Sequence, residues 1–232
     1  MPKIIYKLKD GTEVPSTTTV IGKYKDMGGL LHYYWKEGKE GRGFNQRRDI
    51  AGDIGTAIHH LIERHIKGEP ADPTWPTALS APDAEIVAKM FFEFEAWWDT
   101  LGIKRVISTE ASLTSEIYRY GGTVDLILET GMLSAMIMDW KTGRDFYQEM
   151  ILQMAAYRWL CEETMGVLVT EAKIVTLSKE GKGIKVYTVT LDDMKQGFDK
   201  FLKLREVYDM EASLKTAVER IRDGSERHNN RN

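Results

Sequence analysis

The segment that most constrains the fold comprises residues 120–144, YGGTVDLILETGMLSAMIMDWKTGR, in which two β-like runs flank a turn near Gly131. These runs predict a β-hairpin. If they pair about residue 132, Asp125 lies directly opposite Asp139, with Cβ atoms about 4.5 to 5.5 Å apart. Because side chains alternate along a strand, Asp139 and Lys141 share a face. The hairpin therefore brings two carboxylates and an ammonium group together.

Two carboxylates this close repel each other unless one is protonated or a cation lies between them. Their oxygen atoms suit Mg²⁺ or Mn²⁺, so the functional interpretation is a metal site. The alternative is a surface hairpin with an Asp–Lys ion pair, which adds little stability. Only Asp139/Lys141 follows an apolar strand whose hairpin partner offers another acid. The D/E-x-K pattern itself occurs five times, at Glu37/Lys39, Asp139/Lys141, Glu171/Lys173, Glu180/Lys182 and Asp193/Lys195.

A third candidate ligand is His59, on a helix predicted over residues 49–67 by apolar residues at three- and four-residue intervals. His59 lies at the edge of the buried stripe, whereas His60 lies on the polar side. Neutral imidazole is a common metal ligand, but a lone histidine at an apolar edge is more often a packed core residue. On a later helix, Gln153 and Tyr157 are spaced i and i+4, so both can reach a common neighbour.

The remaining pattern predicts an α/β (α+β) fold, in which helices flank a central mixed β-sheet. Within the hairpin, alternation places Val124, Leu126 and Leu128 on one face and Asp125 on the other. Residues 30–37 are expected to be helical and residues 38–48 to form a positively charged loop. The other predicted helices cover residues 83–101, 146–163 and 192–222, and the predicted strands cover residues 106–113, 122–128, 135–140, 172–177 and 184–189.

Composition limits the possible classes of function. The chain has 232 residues, 32 Lys plus Arg and 35 Asp plus Glu, so any phosphate-binding surface must be local. The single cysteine, Cys161, excludes an internal disulfide, a four-cysteine zinc site and a cysteine-ligated iron–sulfur cluster. Without an apolar run of about 18 residues or a signal peptide, the sequence predicts a soluble, cytoplasmic protein. We expect one domain over residues 1–222 and a flexible polar tail over residues 223–232.

Taken together and in order, these residues resemble the PD-(D/E)XK nuclease superfamily, specifically its RecB-like and phage exonuclease branch. The opening VPSTTTVIGKY is also similar to the P-S-x-T-T start common in phage members. The resemblance covers residues 14–160 and implies the restriction-endonuclease-like core of that family. The matching motifs are G-T-x-x-H at residues 55–59, G-x-x-D at residues 122–125, D-W-K-T at residues 139–142 and Q-x-x-x-Y at residues 153–157.

The resemblance implies a role for each matching residue. Catalytic Mg²⁺ or Mn²⁺ would be bound by His59, Asp125, Asp139 and the backbone carbonyl of Trp140, with Glu110 as an additional acid. Lys141 would position or activate the attacking water and stabilise developing negative charge. Gln153 and Tyr157 would hold the active site or the substrate strand. With one cysteine, the chain is similar to the members that carry no iron–sulfur cluster.

The implied function is metal-dependent hydrolysis of linear single- or double-stranded DNA by an exonuclease, encoded by a phage and acting in recombination, replication or repair in the host cytoplasm. A phage strand-annealing protein is a possible partner. The alternatives are an endonuclease of the same fold, which His59 disfavours, and a non-catalytic nucleic-acid-binding module. Outside the family, the hairpin could belong to an interaction protein. Polarity, oligomeric state and RNA as substrate stay open. The arginines expected to contact DNA are Arg42, Arg47, Arg48 and Arg144.

Overall fold

The computed structural model describes residues 4–24, 39, 44–70, 79–103, 105–143 and 145–229, without the side chains of residues 44–49 and 223–229. In chain order, its helices are α1 (Thr17–Lys23), α2 (Phe44–Lys67), α3 (Ala81–Thr100), α4 (Gln148–Met165) and α5 (Leu191–Asn229). Its strands are β1 (Tyr6–Lys7), β2 (Glu13–Val14), β3 (Val106–Ser115), β4 (Tyr120–Gly131), β5 (Ser134–Lys141), β6 (Leu168–Leu177) and β7 (Ile184–Thr190).

The centre of the fold is a five-stranded sheet with the order β3-β4-β5-β6-β7. Strands β5 and β6 are parallel and are joined through α4, whereas the other neighbouring pairs are antiparallel. A crossover helix is the usual connection between parallel strands, because a hairpin turn reverses the direction of the chain and can join only antiparallel strands. The mixed sheet flanked by helices that the sequence predicted is confirmed. Strands β1 and β2 form a separate antiparallel pair.

Hydrophobic cores cover both faces of this sheet. One core lies between the sheet and α1, α4 and α5, and its aromatic members include Tyr120 and Phe201, whose ring centroids are 4.7 Å apart. The other lies between the sheet and α2 and α3, where Phe94 meets Trp140 at a ring-centroid distance of 5.4 Å. Because apolar side chains cover both faces, a charged group at the centre of the sheet is desolvated.

The β4–β5 hairpin has the predicted register. Ile127 pairs with Ile137 and Leu126 with Met138, so the hairpin is centred on residue 132. One predicted detail is wrong, because Val124 packs in the core of α4 and α5 whereas Leu126 and Leu128 pack in the core of α2 and α3.

This change of face coincides with an irregularity on the neighbouring strand. Glu110 of β3 has a φ of 48°, in the left-handed region, and therefore departs from regular strand geometry. Strict alternation along β4 fails beside this residue, between Val124 and Leu126. The alternation of apolar and polar residues in the sequence does not reveal such an irregularity.

Two helices are longer than the sequence predicted. Helix α2 begins at Phe44, so the end of the expected loop over residues 38–48 is helical. Helix α5 continues to Asn229, so residues 223–229 of the expected polar tail have helical backbone. The helix predicted over residues 30–37 lies outside the described residues.

Gly122, in the G-x-x-D motif, lies where α4 crosses β4. A Cβ atom there would be 2.6 Å from Cε1 of Tyr157 and 3.0 Å from Oγ1 of Thr17, so either β4 or α4 would have to move. We expect Gly122→Ala to lower the free energy of unfolding by about 1–3 kcal/mol, measured by urea denaturation. The control is Gly22→Ala in α1, where a Cβ atom has no neighbour within 4 Å. Equal stability of the two variants would contradict close packing at Gly122.

Candidate active site

Three acidic residues form a row across neighbouring strands near the centre of the sheet. The residue pairs on either side of Glu110 in β3 align it with Asp125 in β4. The β4–β5 pairing ends at Leu126 and Met138, and Asp125 and Asp139 are the next residues along the two strands. Asp125 and Asp139 are 7% and 1% exposed, respectively. The sheet therefore holds two buried carboxylates side by side, with a third on the next strand.

Helix α2 places His59 against this row of acids, because the apolar residues around His59 pack into the core of α2 and α3. Nε2 of His59 donates a hydrogen bond to the backbone carbonyl of Trp140, at 3.0 Å. The opposite ring nitrogen, Nδ1, is 3.5 Å from Oδ2 of Asp125 and 3.7 Å from Oε1 of Glu110. A carbonyl can only accept, so Nε2 carries a proton and Nδ1 faces the carboxylates.

The backbone of Trp140 also holds Asp125. Its N–H group donates to Oδ2 of Asp125 at 2.8 Å, while its carbonyl accepts from His59. The side chain of Trp140 is buried against α3, which fixes the position of this peptide segment. One residue of β5 thus orients two candidate ligands through its main chain.

Asp139 is held from α4 and from its own strand. Nε2 of Gln153 donates to Oδ1 of Asp139 at 2.9 Å and to the hydroxyl oxygen of Tyr157 at 3.0 Å. The ammonium group of Lys141 forms an ion pair with Oδ2 of Asp139. The structure therefore brings together the predicted residues Asp139, Lys141, Gln153 and Tyr157 in one network.

The negative charge of this site shifts the pKa values of its members. Burial and the neighbouring Asp139 carboxylate raise the pKa of Asp125 to about 7. Burial by itself lowers the pKa of His59, but the charge of Asp125 and the contact with Glu110 outweigh it and raise the value to about 9. Both pKa values rise partly for the same reason, because a dense group of carboxylates in a desolvated place favours any added proton.

Lys141 keeps its proton despite being in the same desolvated environment. Burial lowers its pKa, yet the charges of Asp139 and Asp125 and the hydrogen bond with Asp139 raise it above its ordinary value. Lys141 is therefore an ammonium group at neutral pH. It can donate hydrogen bonds and stabilise negative charge, but it has no lone pair with which to accept a proton.

The donor set fits a divalent cation. Ligand atoms from His59, Glu110 and Asp125 all lie within 4.8 Å of one another. One imidazole nitrogen with carboxylate oxygens is a set that Mn²⁺ and Mg²⁺ accept. Close by, the buried Oδ2 of Asp139 is paired with the ammonium group of Lys141. The arrangement is that of a possible metal centre beside an ion pair.

Two predicted acids, Glu110 and Asp139, have contacts that differ from those expected from the sequence. Glu110 was expected only as an additional acid, yet it belongs to the three-residue cluster with His59 and Asp125. Asp139 was expected as a direct ligand and is instead paired with Lys141 and Gln153 in this structure. The carbonyl of Trp140 is engaged by His59. Their roles toward a metal stay predictions.

Comparison with known proteins identifies the family. The model of the PD-(D/E)XK nuclease superfamily matches residues 30–232. The chain belongs to this superfamily. The match includes all the candidate metal-binding and catalytic residues, from His59 to Tyr157. A comparison with curated protein sequences gives no match.

Solved structures show more distant similarity to this nuclease-superfamily chain. SSO0001 has 16% identity and a TM-score of 0.37, with 68% of this chain and 73% of that chain covered. A protein from Eubacterium rectale has 12% identity and a TM-score of 0.41, covering 66% and 68%. LHK-Exo, an alkaline exonuclease from Laribacter hongkongensis, has 9% identity and a TM-score of 0.32, covering 72% and 90%. None of these similarities bears on the roles of individual residues.

The four arginines predicted to contact DNA have side chains outside the described part of the chain. Arg42 and Arg144 lie outside the described residues, and Arg47 and Arg48 lie in α2 with side chains outside the described part. Among the described helices, none has an apolar stretch of the length needed to cross a membrane.

The pKa values predict that metal binding releases a proton. With a pKa of about 9, His59 is protonated at pH 7.5, whereas a ligand imidazole must be neutral. Binding of Mn²⁺ should therefore release close to one proton and tighten as pH rises toward about 9, by at most about tenfold per pH unit. Calorimetry in HEPES and in Tris, whose ionisation enthalpies differ, measures the release. Because Asp125, with a pKa of about 7, also gives up protons when it binds a metal, His59→Gln should reduce this buffer dependence without abolishing it. A wild-type heat that is equal in both buffers would contradict the prediction.

Proposed function

We propose that this nuclease-superfamily chain is a divalent-metal-dependent DNA exonuclease. The observation that carries the proposal is the cluster of His59, Glu110 and Asp125, whose ligand atoms lie within 4.8 Å of one another. The ion pair of Lys141 with Asp139 lies directly beside this cluster. Hydrolysis of a phosphodiester needs positive charge at the scissile phosphate, which a cation held by the cluster and the ammonium group of Lys141 would supply.

His59, Glu110 and Asp125 would hold the cation, with Asp139 available on the adjacent strand. A bound Mg²⁺ or Mn²⁺ would supply charge neutralisation at the scissile phosphate and would acidify an attacking water. Trp140 fixes the orientation of both His59 and Asp125 through its backbone. The ligands are thus preorganised by a buried strand and not by a loop.

Lys141 would act on the substrate as a hydrogen-bond donor. Its raised pKa keeps it charged, so it can orient the attacking water or stabilise the negative charge that develops on the phosphate. Gln153 would act through Asp139, because its amide holds the Asp139 oxygen that faces away from Lys141. Tyr157 accepts the second hydrogen bond of Gln153 and so fixes the amide orientation.

His59 supports an exonuclease over a restriction-type endonuclease, because the restriction-type relatives that the sequence resembles generally lack a histidine helix. The position of His59 against Asp125 and Glu110 is in keeping with that resemblance. The wider proposal is that the enzyme is phage-encoded, acts in DNA recombination, replication or repair, and pairs with a strand-annealing protein.

Digestion of end-labelled linear DNA and closed circular DNA tests the proposal. Single- and double-stranded forms are incubated with Mg²⁺, Mn²⁺ or EDTA. We expect metal-dependent loss of linear DNA only, and the position of the label then gives the polarity. Cutting of closed circles would instead indicate an endonuclease. Tight DNA binding by folded protein without cutting would indicate a non-catalytic module.

A further inference from the structure

An apolar pocket lies directly beside the catalytic network, between α1 and the start of α4. Its volume is about 320 Å³, within the range of sites for small molecules. Its walls include Ile21 and Gly22 from α1, Tyr147 and Met150 at the start of α4, and Lys141 and Gln153 from the catalytic network. The pocket is therefore continuous with the place where the scissile phosphate would lie.

The lining of this pocket does not suit a phosphate group. Apart from Lys141 at one wall, the surface facing the cavity is mainly apolar, with Ile21 buried and Met150 partly buried. Tyr147 is 49% exposed and presents an aromatic ring at the rim. On a nucleic acid, the moiety that is flat and has an apolar face is the base, which binds to aromatic and aliphatic side chains by stacking. Thr18 and Glu149 offer polar atoms for its edge.

We propose that this pocket holds the base of the nucleotide next to the scissile phosphate. The inference rests on the proposed nuclease function and adds a feature of the substrate. A base that enters a protein pocket cannot remain paired or stacked in a duplex, so the reacting nucleotide is unpaired. The enzyme thus acts on single strands or on the frayed end of a duplex, with the phosphate at Lys141 and the base against α1.

Gly22 permits a test that leaves the catalytic residues unchanged. It lies in a helix, and a Cβ atom added there would have no neighbour within 4 Å, so larger side chains can be introduced into open space. Because Gly22 lines the pocket, Gly22→Leu should add apolar volume at its wall, and Gly22→Ala is the control because it makes a similar change of helix propensity with little added volume. Both variants are first checked for thermal unfolding and for Mn²⁺ binding equal to the wild type.

The decisive measurement combines each variant with substrates that lack one base. On normal single-stranded DNA, Gly22→Leu should lower kcat/KM about tenfold or more, and Gly22→Ala should not. On DNA with an abasic nucleotide at the reacting position, the wild type should already be slower, and Gly22→Leu should cause no additional loss. If the leucine side chain and the base compete for one space, the loss from Gly22→Leu and the loss from removing the base will not add. Equal losses on both substrates, or none, would overturn the pocket proposal and leave the nuclease proposal intact.

A binding measurement keeps the two proposals separate. DNA with 2-aminopurine at the terminal or penultimate nucleotide of either end is added with Ca²⁺, and the fluorescence reports whether the base leaves its neighbours. Wild type and Gly22→Ala should change this fluorescence at one position, and Gly22→Leu should not. If the wild type binds but does not cut DNA, the nuclease proposal fails while this result still supports the pocket. An identical fluorescence change with Gly22→Leu would refute the pocket.

Discussion

Asp125→Asn is expected to abolish Mn²⁺ binding and to lower the rate of DNA hydrolysis on the order of 10³-fold. Asp125 lies at the centre of the row of acids, with Glu110 on one side and Asp139 on the other. Its Oδ2 atom faces Nδ1 of His59, so the amide would remove negative charge from the middle of the candidate metal site. Calorimetry with Mn²⁺ and digestion of end-labelled linear DNA measure the two losses.

The same substitution should change stability in opposite directions with and without metal. The folded state raises the pKa of Asp125 to about 7, above the unfolded value, so the ionised carboxylate destabilises the fold as pH rises from about 4 to about 7. At pH 8 in EDTA, Asp125→Asn should therefore be more stable than the wild type. Adding Mn²⁺ at about 100 times Kd should stabilise the wild type by about 2.7 kcal/mol and leave the variant unchanged.

The control for this experiment is Glu129→Gln, on the same strand. Glu129 pairs with Arg105 at 2.7 Å near the other end of β4, away from the cluster, so its amide variant should bind Mn²⁺ and cut DNA like the wild type. Thermal unfolding with EDTA and with Mn²⁺ gives the sign of each difference. If Asp125→Asn is less stable than the wild type in EDTA, the Asp125 carboxylate is not under electrostatic repulsion. If the variant still gains stability from Mn²⁺, Asp125 is not a metal ligand.

The parts of the site that follow local periodicity were predictable from the sequence. The hairpin register depends on a turn and two runs of adjacent residues, and it brings Asp125 and Asp139 to the positions next to its last pair. The inward direction of His59 follows from a helical stripe, and Gln153 next to Tyr157 follows from i, i+4 spacing. Each of these relations involves residues within one element or one hairpin.

The position of Glu110 could not be predicted in the same way. Its alignment with Asp125 depends on how β3 pairs with β4, and this pairing contains a register shift between Val106 and Ser108. Glu110 also has a positive φ, which costs a residue with a side chain on the order of 1 kcal/mol and is tolerated where surrounding structure holds it. Nothing in the local sequence pattern indicates either feature, so the sequence does not predict that Glu110 lies beside His59 and Asp125.

The lengths of α2 and α5 were underestimated for a different reason. The ends of these helices, at Phe44 and Asn229, are rich in polar and charged residues, which give no amphipathic stripe to detect. Charged residues such as Arg and Glu are nonetheless good helix formers, so a helix can continue past its packed region. Periodicity detects amphipathic stripes and gives no signal for helical segments whose sequence is polar throughout.

Lys141→Ala is expected to lower DNA hydrolysis by about 10²- to 10³-fold without loss of Mn²⁺ binding. This combination separates the role of Lys141 from that of the candidate ligands. The ammonium group is paired with Asp139, and its pKa lies above the ordinary lysine value. Because it stays protonated, it has no lone pair and cannot itself bind a metal ion. Its removal also takes one positive charge away from the metal site, so Mn²⁺ affinity should be equal or higher.

The chain offers a matched control in Lys173→Ala. Lys173 forms an ion pair with Glu171 two residues earlier on β6, in the same acid-x-Lys spacing, and its ammonium group also donates to the hydroxyl of Thr188 on β7. Its loss should leave hydrolysis within about twofold of the wild type, because exposed pairs of this kind contribute little. A similar loss of activity in both variants would mean that a general change of charge, and not the position of Lys141, causes the defect.

Lys141→Arg distinguishes charge from geometry at this position. Guanidinium keeps the positive charge but replaces a compact donor by a larger planar group, so phosphate attraction remains while the position of the donor beside Asp139 changes. We expect KM for DNA near the wild-type value and a kcat reduced on the order of tenfold or more. If Lys141→Arg is fully active, bulk charge suffices; if its kcat falls while KM holds, the ammonium group of Lys141 acts at a defined point in the transition state.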